Sequence, residues 1–350
     1  MSYTNGLDKP TDYFNTVLYT GNGSTQSVTG VGFQTDLSWT KVRSEAGSHR
    51  LVNAVRGNTK YIYPNGTDAE QTRTTNVTSF DSDGFSLGNG SINESARTYV
   101  SWNWKCETGV SGVTTGSGSE RSYSGRVNTT AGISIINYAG NSTSGHTIPH
   151  NLGAVPKIVM LKNLGDTGDW IVHMGALNDP EKVTSLNTTD AGTNFNAGFN
   201  TTTPTSSVFT LGNSVAVNDD NQQYLAICYA QKKGYSKFGK YTGNGSTDGT
   251  FVYTGFKPAW VMFKSTSFAG ENWDIYDNKR ESFNVMDTTL KADSNGAESS
   301  NSLFSVDFLS NGIKLRNGHT GTNQSGSTYI FMAFAEFPFV TSTGIPTTAR

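Results

Sequence analysis

Apolar residues in this chain come in short bursts, each ended by a turn signal within a few positions. Leu37-Ser38-Trp39-Thr40 alternates large apolar and polar side chains, the period of a half-buried strand. Val17-Leu18-Tyr19-Thr20, Phe85-Ser86-Leu87, Ile158-Val159-Met160-Leu161, Trp260-Val261-Met262-Phe263 and Ile313-Lys314-Leu315 read as further strands. Thr98 to Trp104, Gln223 to Tyr229 and Thr328 to Phe334 are largely apolar, as suits central strands covered on both faces. No stretch keeps a helical period for long. The pattern predicts an all-β protein of sandwiches or barrels.

The pattern also repeats. Leu18-Tyr19-Thr20-Gly21-Asn22-Gly23-Ser24-Thr25 returns as Asn137-Tyr138-Ala139-Gly140-Asn141-Ser142-Thr143 and as Tyr241-Thr242-Gly243-Asn244-Gly245-Ser246-Thr247. A recurrence at roughly hundred-residue spacing marks a tandem repeat. Each copy is expected to be the first hairpin turn of its repeat, with Gly and Asn chosen for backbone shape. The expected organisation is an N-terminal arm (1–12), repeat 1 (13–106), a linker (107–131), repeat 2 (132–231), repeat 3 (236–339) and a C-terminal tail (340–350). The linker is rich in Gly, Ser and Thr and reads as flexible. The join between repeats 2 and 3 is short, so those two are expected to form a rigid pair while repeat 1 moves freely.

Composition agrees with short strands and turns. Charged residues are 15%, well below the usual quarter, and the net charge is −2 with no basic block. Nucleic acid is therefore not an expected partner. Met1 to Pro10 has no basic start and no apolar run, and no long apolar segment follows, so the expectation is synthesis in the cytoplasm without membrane insertion. Cys106 and Cys228 lie in different repeats and form no disulfide framework; each looks like a small core or strand-end residue.

Several runs resemble a repeat family of bacteriophage virion proteins common in marine phages, tail fibre and tail-associated appendages. They include Gly30-Val31-Gly32-Phe33-Gln34, Ser79-Phe80-Asp81-Ser82-Asp83-Gly84-Phe85, Tyr99-Val100-Ser101-Trp102-Asn103-Trp104-Lys105, Gly234-Tyr235-Ser236-Lys237-Phe238-Gly239-Lys240 and Ile275-Tyr276-Asp277-Asn278-Lys279-Arg280. The resemblance covers all but the linker and both tails. It implies three tandem lectin-like β-sandwich domains of jelly-roll type in a structural part of the virion. The partners it implies are other virion proteins, further copies of the chain in a homo-oligomer such as a trimer, and host surface polysaccharide. It supplies no catalytic residues.

Candidate chemistry is sparse. Gly84-Phe85-Ser86-Leu87-Gly88 fits the nucleophile-elbow pattern, but a strand-like segment follows where a helix is required, and Thr210 and Lys314 stand at the equivalent positions. Asp81-Ser82-Asp83-Gly84 could open a calcium loop but lacks the later ligands. His146 and His150 are spaced to meet only on a helix. No enzyme, metal or cofactor is expected. The six tryptophans read mainly as core. Trp170 and Trp273, each beside a carboxylate (Asp169, Asp274), are the candidates for stacking on a sugar. Two functions remain, a structural appendage of the particle (on tail or capsid) and a receptor-binding lectin. A polysaccharide depolymerase would need paired acids, and no such pair stands out.

Overall fold

The computed structural model describes residues 7–177 and 180–347; the first half of the expected arm and the last three residues of the tail lie outside the described residues. The fold is all-β, built from six antiparallel sheets, and the described α-helices are single turns, Asn196–Phe199 and Val215–Asn218.

The three large sheets share one strand order. In repeat 1 the opening strand Phe14–Thr20 pairs with the closing strand Thr98–Trp104, which pairs in turn with Leu37–Val42, followed by Arg50–Asn53, Gly57–Ile62 and Gln71–Thr72. Repeat 3 has the same order, from Ser236–Thr242 and Thr328–Pro338 to Phe256–Ser265, Trp273–Asp277, Thr288–Lys291 and Ser299–Ser300. Repeat 2 repeats it from Ile133–Ala139 and Gln223–Tyr229 onward, and adds Ser122–Asn128 and Thr108–Val113 at its edge. The segment expected to be a flexible linker is therefore largely strand. Its alternation is hard to read because the inward series Tyr123, Gly125, Val127 has a glycine in the middle, where a Cβ would collide with the Ile135 carbonyl. Arg126 of this segment ion-pairs with Asp36 of repeat 1.

Each large sheet covers a three-stranded sheet across an apolar layer, which gives three separate clusters. The recurring Tyr-Gly-Asn stretch is the corner between those two layers. It is not a hairpin, because Phe14–Thr20 and the next strand, Gln26–Val28, belong to different sheets. All three copies are fixed alike. Tyr19 stacks on Tyr99 at 5.0 Å, Tyr138 on Tyr224 at 5.2 Å and Tyr241 on Tyr329 at 5.1 Å. The buried amides of Asn93, Asn218 and Asn323 accept from the backbone N–H of Asn22, Asn141 and Asn244. Gly21, Gly140 and Gly243 admit a backbone carbonyl that any Cβ would strike.

The opposite faces of the large sheets meet in a fourth and larger core, which contains all six tryptophans. At its centre Trp104, Tyr229 and Phe334, one from the same position of each closing strand, form a triangle with centroids 5.6 to 6.5 Å apart. Around it the junctions repeat head to tail. Gly168 N–H donates to Thr67 O of repeat 1, Gly270 N–H to Thr189 O of repeat 2, and Gly47 N–H to Asn295 O of repeat 3, at 2.7–2.9 Å. Glu70, Gly192 and Glu298 N–H donate likewise to Leu164, Thr266 and Arg43 O. A heterologous contact that returns to its start closes a ring. Repeat 1 is thus held to both other repeats, contrary to the expectation that it moves freely.

Phe334 touches the aromatic rings of Phe14, Trp104, Tyr229, Tyr235, Phe238 and Trp260. Phe334→Ala is expected to cost about 3–5 kcal/mol, the range for truncating a buried aromatic. Urea denaturation followed by tryptophan fluorescence should give one transition in both proteins. Separate transitions for the repeats, or a cost below about 1 kcal/mol, would contradict a shared core.

Candidate functional site

Trp170 and Trp273 cannot offer a ring face to a sugar, because both are fully buried. They stand at equivalent positions and tie neighbouring repeats together. The Trp170 indole N–H donates to Tyr63 O of repeat 1, and that of Trp273 donates to Ser185 O of repeat 2, both at 2.9 Å. Repeat 1 has His49 at this position. Its Nδ1 accepts from Trp39 Nε1 at 2.8 Å, which leaves Nε2–H to donate to Lys291 O of repeat 3 at 3.0 Å. Burial pushes the His49 pKa down to about 3, so the ring is neutral. The carboxylates beside the two tryptophans have different surroundings. Asp169 is exposed and accepts from Asn187 at 2.7 Å. Asp274 is 1% exposed, and neither of its carboxylate oxygens has a hydrogen-bond partner.

The other sequence candidates are absorbed by local structure. Ser86 lies inside the strand Gly84–Leu87 and donates to Asp81 at 2.7 Å. Asp81 also accepts from Ser79, while Asp83 takes the N–H groups of Gly30 and Gly32, so both carboxylates serve the turn. His146 sits between Asn218 and Thr114, and His150 contacts Thr205 O. Cys106 and Cys228 are buried free thiols. Among the described residues no group of three or more His, Cys, Asp or Glu is arranged to hold a metal ion.

An open cleft of about 760 Å³ lies at one end of repeat 3. Lys257, Asn284, Asn311, Glu336 and Phe337 are on its wall, with Phe308 beneath. Lys257 and Glu336, on directly paired strands, form an ion pair at 2.7 Å on that wall. The Asn284 amide is committed to Phe308, donating to its carbonyl and accepting from its N–H. A smaller cavity shares Lys257, Asn284 and Phe308 and adds Phe283, which is 83% exposed. None of these residues stood out as a functional candidate in the sequence. A signal was present in the spacing, since Leu51 pairs with Ile62 in repeat 1 but Ile275 pairs with Leu290 in repeat 3, a connection four residues longer.

The chain belongs to the family described as a domain of unknown function, DUF7483, whose profile matches residues 9–338. No curated protein and no solved structure matches it.

Asp274 gives the fold a measurable pH dependence. Burial is the main cause that pushes its carboxyl up to about 7; Lys291 opposes the shift, while Asp293 and Glu271 reinforce it. In the unfolded chain an aspartate ionises near about 4. The folded state therefore holds an extra proton between about pH 4 and pH 7, and the contribution of Asp274 to stability falls as pH rises through that window. Asp274→Asn should gain stability relative to the parent by on the order of 2–4 kcal/mol between about pH 4 and pH 8. Paired urea titrations measure this, and a difference that stays constant with pH would refute it.

Proposed function

We propose that this chain is a structural protein of a bacteriophage virion, a tail fibre or other particle appendage that takes part in host attachment. Its three repeats are read as tandem lectin-like β-sandwich domains of jelly-roll type. The observation that carries this reading is the closed ring, in which equivalent strands of three repeats share one core and equivalent hydrogen bonds join every junction. Such a body is a rigid building block. Its recognisable polar clusters are spent on turns and junctions, which suits a part that holds and presents rather than one that turns over a substrate. The resemblance of its repeats to virion appendage proteins points the same way.

Other virion proteins are the expected partners on this reading, and the virion is the final location after synthesis in the host cytoplasm. The chain also builds a threefold body from its own repeats, so a trimer of chains is not needed to complete the core. A decoration on the capsid would use the same body. A second reading, a receptor-binding lectin, is favoured by the open cleft on repeat 3, where exposed aromatic rings border polar side chains.

Purified particles of the producing phage provide the test. Mass spectrometry should detect the chain at a fixed ratio to the major structural proteins through successive density gradients. Its absence from intact particles, with abundant protein in the lysate, would overturn the reading.

A further inference from the structure

We propose that the cleft on repeat 3 is a saccharide-binding site, and that it is the one place where this ring departs from its repeated plan in order to bind a ligand. The biological role of such binding rests on the host-attachment reading; the site itself rests on the geometry.

Most of what the ring needs is present three times: the triangle at its centre, the ring N–H donors at each junction and the paired tyrosines at each corner. Several features that repeat 3 adds collect around the cleft. Its strands Phe256–Ser265 and Thr328–Pro338 run ten and eleven residues, against six and seven for Leu37–Val42 and Thr98–Trp104 of repeat 1. The added pairing carries Lys257 and Phe337, which face each other in register across a bulged stretch. The longer connection after Asp277 brings Phe283 and Val285, 83% and 52% exposed. The end of the extended strand pair and the 283–285 part of the long loop make none of the ring-closing bonds, although the loop carries Arg280 near its start, which belongs to that network. Both border the cleft, with the turn that carries Asn311.

The lining indicates the ligand class. Lys257 and Glu336 neutralise each other, so the cleft has no charge excess to attract a phosphate or a polyanion. They still leave a cation and an anion in place to bond hydroxyl groups, beside the Asn311 side chain. Phe337 is 47% exposed at the wall, and Phe283 lines the smaller cavity that shares Lys257, Asn284 and Phe308 with the cleft. An aromatic face is electron-rich and attracts the electropositive C–H edges of a pyranose ring. The volume is within the range of small-molecule sites, enough for a short oligosaccharide. An uncharged, hydroxyl-rich ligand with one apolar face fits these features best.

The experiment uses the full chain on an array of bacterial surface polysaccharides and their oligosaccharides, with each hit measured by calorimetry. At least one saccharide should bind. Phe337→Ala and Phe283→Ala should each weaken it by about tenfold, the loss of one stacked ring. Val215→Ala, an exposed position on repeat 2, should leave binding unchanged. The Phe283 ring is almost wholly in solvent, so that variant keeps the test valid even if Phe337→Ala disturbs the strand. A folded chain that binds no saccharide overturns the proposal, as does binding that both cleft variants leave as tight as in the parent. Presence in virions without saccharide binding would remove this site and leave the particle reading standing; binding by a chain absent from virions would do the reverse.

Discussion

The structure depends on the burial of both faces of three large sheets. A sheet that covers a smaller sheet on one side normally shows polar residues on the other. Here the second face carries Trp39, Leu51, Val100 and Trp102 in repeat 1, Ile135, Met160, Leu225 and Ile227 in repeat 2, and Phe238, Met262, Ile330 and Met332 in repeat 3. Exposed apolar area of that size costs about 25 cal/mol for each Å² left in water, so no repeat is complete alone. Three such faces cover one another. Polar groups on those faces must then find partners inside the ring, and the equivalent buried lysines do so: Lys162 donates to Thr67 O and Gly168 O, Lys264 to Glu271 O and Lys41 to Val42 O.

The three junctions are alike in backbone and unlike in charge. Two of them join repeats that are consecutive in the chain, while the junction between repeats 1 and 3 closes the ring with no peptide link. That junction carries the densest ionic network. Arg43 forks onto Glu298 at 2.8 and 2.9 Å, and Glu298 also pairs with the fully buried Arg280. Arg280 pairs with Asp277, which accepts from the Trp102 indole at 3.0 Å. Ser342 near the C-terminus donates to Asp8 near the N-terminus, across the same gap in the chain. A bidentate arginine pair fixes orientation better than a point charge. The bonds with the strictest geometry are therefore where the chain itself supplies no constraint.

How much of this was legible in the sequence follows from the range of the forces involved. Strands such as Leu37–Val42 and the corner at Tyr19-Thr20-Gly21 were visible because their pattern is local. The destination of an apolar face is not local. Trp170 and Trp273 looked like sugar platforms because each adjoins an aspartate, but the carbonyls that hold their ring N–H groups lie in another repeat, at Tyr63 and Ser185. The segment 107–131 looked flexible because Thr108–Val113 is mostly exposed and Gly125 takes an inward position. The corner passed for a hairpin because turn chemistry is the same whether the chain returns to its own sheet or crosses to the next. What the sequence hid was which surfaces meet, including the freedom assigned wrongly to repeat 1.

Carrying three repeats on one chain changes what each repeat is free to do. In a ring of identical subunits any substitution occurs three times, so a loop that suits a ligand must also suit every junction. Fusion removes that requirement. Repeat 2 has used the freedom to add two strands at an edge, and repeat 3 has used it for longer strands and a longer loop. The first addition is held to the neighbouring repeat by Arg126 and Asp36, so it serves the ring. The second gives Arg280 to the ring-closing network, but past it the loop is held by the Asn284 amide and leaves Phe283 in solvent, a part that does not serve the ring. A feature that departs from the repeated plan without contributing to closure needs a cause outside the ring. It also occurs once per chain, so the threefold body does not by itself make this feature multivalent.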